Sequence, residues 1–349
     1  MQFGIQFFPD VGPEHKSAAA YWNECLDLSE VADQVGYKHV RTVEHYFHTY
    51  GGYSTNPLTF LAAAAQRTKQ VRLVTGAILP IFNHPFKIAG EIGMVDAMSN
   101  GRLECGFARA FLPHEFRTFG RSLDESRARF AEGVAQVRRL LEETNVSSNG
   151  AFHSFENVTS LPRPTQSPRP PFWVATSSST ESFVYAAEHG YGVMTIPRPP
   201  ATVKEWIDTY RATWTKAGHP GRGKVMFATH MYCAPSRDQA IEEARPHLEG
   251  YFRCLHEASS DWLKITSKDY PNHPSMIAND RRDVDSMLAS DALWVGTPDD
   301  ICEKIVRYQQ AVGGIESASL QVNFHTLPFE KAEASVRLFA EKVIPRLRD

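Results

Sequence analysis

Residues 71–108 read VRLVTGAILPIFNHPFKIAGEIGMVDAMSNGRLECGFA, and this stretch decides the fold. The apolar, β-branched run at 71–79 is stopped by Pro80, which lacks the N–H that a strand ladder needs. From Pro85 to Ser99 apolar residues recur at helical spacing, behind a proline suited to the first helical turn. After Gly101 the chain turns apolar and extended again at 102–108. Strand, helix and strand in this order form the unit from which parallel sheets are built.

The rhythm continues in both directions. Toward the N-terminus it predicts a strand at 2–8, a helix at 18–35 closed by Gly36, a strand at 39–44 and a helix from about 56 to 68. Toward the C-terminus a helix at 125–143 completes the fourth unit. Residues 145–171 then break the pattern with Pro, Ser, Asn and Gly around the short run 152–161, read as an inserted hairpin. Strands at 172–176, 192–196 and 225–233 follow, with helices at 180–189, 201–216 and 237–258. A polar excursion at 259–293 precedes the last strand, 318–324, and the last helix, 329–347. Eight alternations predict one α/β domain over 1–349, a (β/α)8 TIM barrel with insertions at about 145–171, after the fourth helix, and 259–293, before the eighth strand. A doubly wound open sheet is the rival, but the first strand lacks the Gly-x-Gly-x-x-Gly of a dinucleotide fold.

Composition narrows the function. Lys and Arg number 37 against 40 Asp and Glu, a formal charge of −3, and 42% of residues are hydrophobic. Such a chain can bury a large core and offers no basic surface to nucleic acid. Its longest apolar run, 58–65, is far short of the roughly 20 residues that span a bilayer. The first residues carry no basic stretch or small-residue cleavage site, so a cytoplasmic protein is expected. Five cysteines without a Cys-x-x-Cys pair point to reduced, buried thiols. Residues 218–224 imitate a phosphate loop, yet Val225 replaces the needed Ser or Thr and the segment runs from helix to strand, the wrong order.

Barrel chemistry sits at the C-terminal ends of strands. The second strand runs into Glu44-His45-Tyr46-Phe47-His48, and a histidine there suits acid–base work because it titrates near 6.5. A packed, half-buried histidine is the bland alternative. A metal would need His45, His48 and His84 to converge, and the first strand ends in Phe7-Phe8-Pro9 where metallohydrolase barrels have His-x-His. Arg109 leaves the fourth strand and Ser126-Arg127 opens the fourth helix, so two guanidinium forks face one anion or form two surface ion pairs. After the fifth strand, Thr176-Ser177-Ser178-Ser179-Thr180-Glu181 leads into a helix. Ser178 and Glu181 have capping-box spacing, and the same helix start is a ready phosphate site.

In order along the chain, Gln2-Phe-Gly-Ile, Glu44-His45-Tyr-Phe, Asn56-Pro57, Thr75-Gly76-Ala77-Ile-Leu-Pro80, His84-Pro85, Asp96-x-x-Ser-Asn-Gly-Arg102, the Arg109 strand, Phe119-Gly120, Ala175-Thr-Ser-Ser and Gly296-Thr-Pro298 resemble bacterial luciferase and the luciferase-like flavin monooxygenases. No one motif is specific, but the ordered set covers nearly the whole chain. The resemblance implies a (β/α)8 barrel that binds reduced FMN and reacts it with dioxygen to a peroxyflavin, which oxygenates a small apolar substrate by hydroxylation or Baeyer–Villiger insertion. It implies His45 as the catalytic histidine, and Arg109, Arg127, Ser177 and Thr180 as the holders of the FMN phosphate. Thr176 stands where luciferase's light-emitting subunit has a glutamate, so its backbone contact alone carries over. Gly76-Ala77 falls where the family has a non-prolyl cis peptide beside the flavin ring. Ala108 replaces luciferase's reactive cysteine, so a non-luminescent oxygenase is expected.

The resemblance further implies a separate flavin reductase, a homodimer through the second and third helices, where Ala62 to Ala65, Gly90 and Gly93 are small, and a mobile loop at 259–293 carrying Trp262, Tyr270 and Arg281-Arg282. An apolar lining is expected from Phe7, Phe47, Phe111, Met194 and Phe324, to keep water from the reaction. The competing readings are a deazaflavin-dependent oxidoreductase on the same fold, a non-catalytic flavin-binding subunit, and a metal-dependent hydrolase.

Overall fold

Local chemistry starts and stops the elements where the sequence reading puts them. Helix α1 (Ala18–Val35) begins at Ser17, whose hydroxyl accepts the Ala20 N–H at 3.2 Å, and ends at Gly36 in the left-handed region, φ 94°. Helices α2 (Pro57–Arg67) and α3 (Pro85–Met98) have proline in the first turn and are capped by the side chains of Asn56 and His84. The computed structural model describes residues 1–176, 179–279 and 283–347.

The strands are β1 (Gln2–Phe7), β2 (His39–Thr42), β3 (Arg72–Ile78), β4 (Leu103–Phe107), β5 (Val146–Asn149), β6 (Ser154–Val158), β7 (Phe172–Ala175), β8 (Gly192–Thr195), β9 (Val225–Cys233), β10 (Trp294–Gly296) and β11 (Ser317–Gln321). Eight of them, β1 to β4, β7 to β9 and β11, pair in parallel around a closed ring. The ring shuts where β11 meets β1, from Gln2 opposite Ser317 to Gln6 opposite Gln321, and where β8 meets β9. Side chains alternate across each strand. Phe3, Ile5 and Phe7 join the core between sheet and helices, while Val74, Trp173, Met194 and Met226 form a separate apolar cluster.

Helices α4 (Pro113–Thr118), α5 (Ser126–Glu142), α6 (Thr180–Glu188), α7 (Pro200–Lys216), α8 (Arg237–Ser259), α9 (His273–Ala278), α10 (Val284–Ala289), α11 (Pro298–Val312), α12 (Phe329–Lys342) and α13 (Ile344–Leu347) complete the fold. The expected hairpin is the antiparallel pair β5–β6, and Glu132 of α5 anchors it by accepting the Phe152 and His153 N–H groups. The chain then crosses α3, with the Pro162 carbonyl lying where a side chain at Gly93 would be. Gly93 is therefore small for packing within the chain.

Several elements lie outside the sequence reading, among them α4, which carries Glu115. Residues 294–312 hold β10, paired with the end of β9, and α11. A capping box opens α11: the Thr297 hydroxyl accepts the Asp300 N–H at 3.2 Å, and the Asp300 carboxylate accepts the Thr297 N–H at 3.0 Å. The 259–293 excursion is also more ordered than expected, with a 3-10 turn at Ser260–Leu263, α9 and α10. Arg281 and Arg282 fall outside the described residues.

His39 on β2 lies under Gly4, where a Cβ would overlap its ring, and its Nε2 has no partner. Burial, helped by the Arg41 cation, pushes its pKa down to about 3. The unfolded chain takes up that proton below about pH 6.5, the folded one only near 3. This stability is therefore full above pH 6.5 and drains away as the pH falls toward 3. His39→Gln is expected to flatten the fall of the urea midpoint between pH 7 and pH 4.5; equal slopes in the two proteins would assign the acid loss to other groups.

Candidate active site

Just beyond β2, Glu44 and His45 are both buried. The Glu44 carboxylate ties β2 to β3 by accepting from the Leu79 N–H at 3.0 Å, Asn83 at 2.7 Å and the Tyr46 hydroxyl at 2.7 Å. Burial raises its pKa to about 7. His45 is 7% exposed, and its Nδ1 lies 3.0 Å from Oε1 of Glu115 on α4. The same oxygen accepts the Tyr46 N–H at 2.8 Å. A carboxylate beside Nδ1 favours the tautomer with the proton there, which leaves Nε2 as the acceptor. Rings of Phe8, Tyr50 and Phe111 stand 5.3, 5.7 and 5.9 Å from the imidazole.

Gly76-Ala77 on β3 is a cis peptide, and the Gly76 carbonyl accepts from the Arg41 guanidinium at 2.7 Å. Arg41 also donates to Gln6. A Cβ at residue 76 would overlap the Arg41 side chain, so glycine here makes room for a cation inside the barrel. Burial lowers the Arg41 pKa to about 10. Two hydrogen bonds to a charged group return roughly 1.5–3 kcal/mol each, against a desolvation cost of several kcal/mol. The barrel tolerates this cation and gains little stability from it.

Across the mouth, Arg109 follows β4, Arg127 opens α5, and Thr180 and Glu181 open α6. Charge joins the three segments. Burial lowers the Arg109 pKa, Tyr270 opposes this, and the Arg127 cation lowers it further. Glu181 is held below the usual carboxylate range by its Ser179 hydrogen bond, with Arg127 and Arg109 adding to the effect. Segment 260–279 lies over this cluster. The Trp262 indole donates to the Phe111 carbonyl at 2.8 Å, and the Tyr270 hydroxyl to the carbonyls of Arg109 and Ala110 at 3.1 and 2.9 Å. The Asp269 carboxylate accepts the Arg127 N–H at 2.9 Å and the Ser126 hydroxyl at 3.2 Å. His273, tilted against Trp262 and edge-on to Tyr270, is pushed down to about 4 by burial, with Arg109 and Arg198 adding to the effect.

The expected residues thus fall into two groups at one end of the barrel: His45 with Gly76 and Ala77, and Arg109 with Arg127 and the start of α6. The Thr176 N–H bonds to the Met194 carbonyl at 2.9 Å, while Ser177 and Ser178 lie outside the described residues. With Ser179 as N-cap, α6 begins one residue beyond the expected Ser178–Glu181 box. The three histidines proposed for a metal stay apart in role. His45 pairs with Glu115, His48 accepts the Tyr50 N–H, and His84 caps α3. Among the described residues no group of three His, Cys, Asp or Glu is placed to hold a metal. Of the expected lining, Phe111 reaches His45, but Phe7 packs outward on Phe60 at 5.6 Å and its neighbour Phe8 faces the imidazole instead. Phe47 is 58% exposed on the rim. Glu115, Arg41 and Asp269 escape a sequence reading, because 70, 35 and 142 positions separate each from the group it serves.

A sequence profile of the luciferase-like monooxygenase family matches residues 1–313. The chain is 25% identical, over 99% of its length and 95% of the relative's, to the oxygenase component of flavin-dependent trigonelline monooxygenase from Acinetobacter baylyi. It superposes on the crystal structure of monooxygenase RslO1 from Streptomyces bottropensis with TM-score 0.89, 43% identity and full coverage of both chains. The fold is shared at TM-score 0.84 and 20% identity, over 100% of this chain and 99% of the other, with the FMN-bound oxygenating constituent of 3,6-diketocamphane monooxygenase from Pseudomonas putida. F420-dependent enzymes match the chain as well.

Glu115 is fully buried, and its Oε2 has no partner. Glu115→Ala leaves His45 Nδ1 and the Tyr46 N–H facing a void. A loss of about 3 kcal/mol, the scale for breaking a buried pair, is expected in chemical denaturation. An unchanged midpoint would mean that water or a shifted side chain replaces the carboxylate.

Proposed function

The chain belongs to the luciferase-like monooxygenase family and is a flavin-dependent monooxygenase, and from that premise we propose that it uses reduced FMN and dioxygen to oxygenate a small apolar organic substrate. One observation carries the choice of a phosphorylated flavin. The Ser126 hydroxyl and the Arg127 main-chain N–H at the N-terminus of α5 already hold an anion, the carboxylate of Asp269, and Arg109 donates to the Asp269 main-chain carbonyl beside it, a donor set that supports a phosphate. In this reading Arg109, Arg127, Ser177 and Thr180 would hold the phosphate, with the Thr176 backbone as a further contact, and the Gly76-Ala77 peptide would contact the flavin. When bound, reduced FMN supplies the electrons that activate dioxygen.

The side chains at the mouth do the rest. His45, with Nδ1 facing Glu115, takes or delivers a proton at Nε2 during oxygen transfer. Phe8 and Phe111 keep water from that nitrogen, which would otherwise divert the activated oxygen to peroxide. Reduced flavin comes from a separate reductase, a reading supported by the Acinetobacter relative being an oxygenase component. The exposed side chains of Phe86, Met94 and Met98 on α3 form an apolar face that supports a homodimer.

Two substitutions test the roles separately. Arg109→Ala is expected to weaken FMN binding by about tenfold or more, the scale of one lost charged hydrogen bond, with riboflavin binding unchanged. Equal weakening of both flavins would remove the phosphate assignment, and tight F420 binding with no FMN binding would replace the cofactor. His45→Ala is expected to keep FMN binding while product yield from reduced FMN, oxygen and a panel of carbonyl and aromatic compounds falls about 100-fold, the scale for a general acid–base group. Undiminished yield would exclude His45 from the chemistry.

A further inference from the structure

A cavity of about 960 Å³ lies at the end of the barrel away from His45. Gln2, His39, Arg72 and Ser317, the first residues of β1, β2, β3 and β11, line it, and residues of α11 and α13 close one flank. Barrel interiors are filled by packed side chains, and barrel chemistry belongs to the opposite face. Neither accounts for this space, which is near the upper end of the roughly 300–1,000 Å³ taken up by small-molecule sites.

The wall has a defined chemistry. Two rings stand where Gly4 and Gly192 leave room for them, His39 over the first and the Trp173 indole over the second. The indole N–H donates to Glu104 at 2.7 Å, and Arg72 holds the other Glu104 oxygen. Val74, Trp173 and Met226 belong to one apolar cluster and form one part of the lining. The Ser317 hydroxyl and His39 Nε2, on residues only 6% and 4% exposed, have no hydrogen-bond partner among the described residues. Buried polar atoms are nearly always paired, so two orphans in the wall of one cavity call for a ligand's polar group.

Charge selects the ligand. Five basic side chains line the cavity against two carboxylates, and both carboxylates are engaged. Arg72 and Trp173 hold Glu104, while Glu316 accepts from Arg222 and the Val225 N–H, each at 2.8 Å. Among the described residues neither Lys38 nor Lys224 is in an ion pair.

We propose that this cavity is a second ligand site, separate from the mouth, for a small organic anion: a carboxylate carried on an aromatic or branched apolar body. The carboxylate answers Lys38 and Lys224, a polar group beside it takes the Ser317 hydroxyl, and the body lies against Val74, Trp173 and Met226. A bare inorganic anion leaves the apolar wall and most of the space unfilled. A neutral aromatic leaves both lysines unanswered. The site does not depend on the FMN reading, because no residue of the mouth takes part in it.

Calorimetric titration of the full chain tests it with 2-naphthoate, its neutral counterpart 2-naphthamide, and inorganic phosphate. One 2-naphthoate is expected to bind per chain, with 2-naphthamide about tenfold weaker and phosphate unable to displace the probe at equal concentration. Lys38→Ala and Lys224→Ala, both at exposed positions, should each weaken 2-naphthoate about tenfold, the scale of one charged hydrogen bond, and Ser317→Ala about threefold, the scale of a neutral one. Arg109→Ala should leave its affinity unchanged. No binding at millimolar 2-naphthoate would overturn the proposal, as would equal affinity for the amide or displacement by phosphate. Binding that ignores both lysine substitutions would place the probe elsewhere and overturn it too.

Discussion

Closure of the parallel ring is the constraint on which the mouth depends. β11 lies against β1 over five consecutive residue pairs, so the ends of the first and last strands emerge side by side. Asp10, fully buried just beyond β1, accepts the His325 N–H at 2.6 Å and meets its Nδ1 at 3.1 Å, pinning the two ends together. With every barrel strand bonded on both sides, no strand can slide without breaking two ladders, and a slip of one residue would turn each inward side chain outward. His45, Gly76 and Arg109 therefore stand at heights set by register and not by their own interactions.

On that frame the mouth divides electrostatically. One side holds a buried histidine–carboxylate pair among aromatic rings, where low polarity strengthens a directed hydrogen bond and makes an unpaired charge costly. The other side gathers two guanidinium groups, one just after β4 and one at the start of α5, where the helix N-terminus already holds a carboxylate of the chain itself. Arg41 is a further buried cation, bonded to the Gly76 carbonyl and the Gln6 amide through its two terminal nitrogens and left without a partner at Nε among the described residues. Buried charges without matching carboxylates are poor stabilisers, so their presence at this end of the barrel marks it as the functional end.

The architecture was open to reading because it is written in local periodicity. Apolar runs such as the one ending at Pro80 and the glycine at 36 act within a few residues, and this local pattern correctly placed eight strands. Residues 294–312 were legible in principle, since Thr297-Pro298-Asp299-Asp300 is a helix start, but the three-residue strand before it is too short to show a period. The inward or outward aim of Phe7 and Phe8 was not legible: adjacent residues face opposite ways, and only the register against β2 says which faces the mouth.

Sequence alone therefore determined the (β/α)8 order, the family, and the residue types gathered at strand ends: a histidine after the second strand, arginines after the fourth strand and at the helix that follows, hydroxyls after the fifth. Tertiary structure alone decided their partners. Glu115 behind His45, Arg41 under Gly76 and Asp269 on the α5 N-terminus are pairings between distant segments, made by the closed sheet and by the chain crossing the mouth. Local chemistry acts over a few residues and leaves a pattern in the sequence. Pairing across a barrel depends on where three dimensions bring the segments, and one chain leaves no record of it.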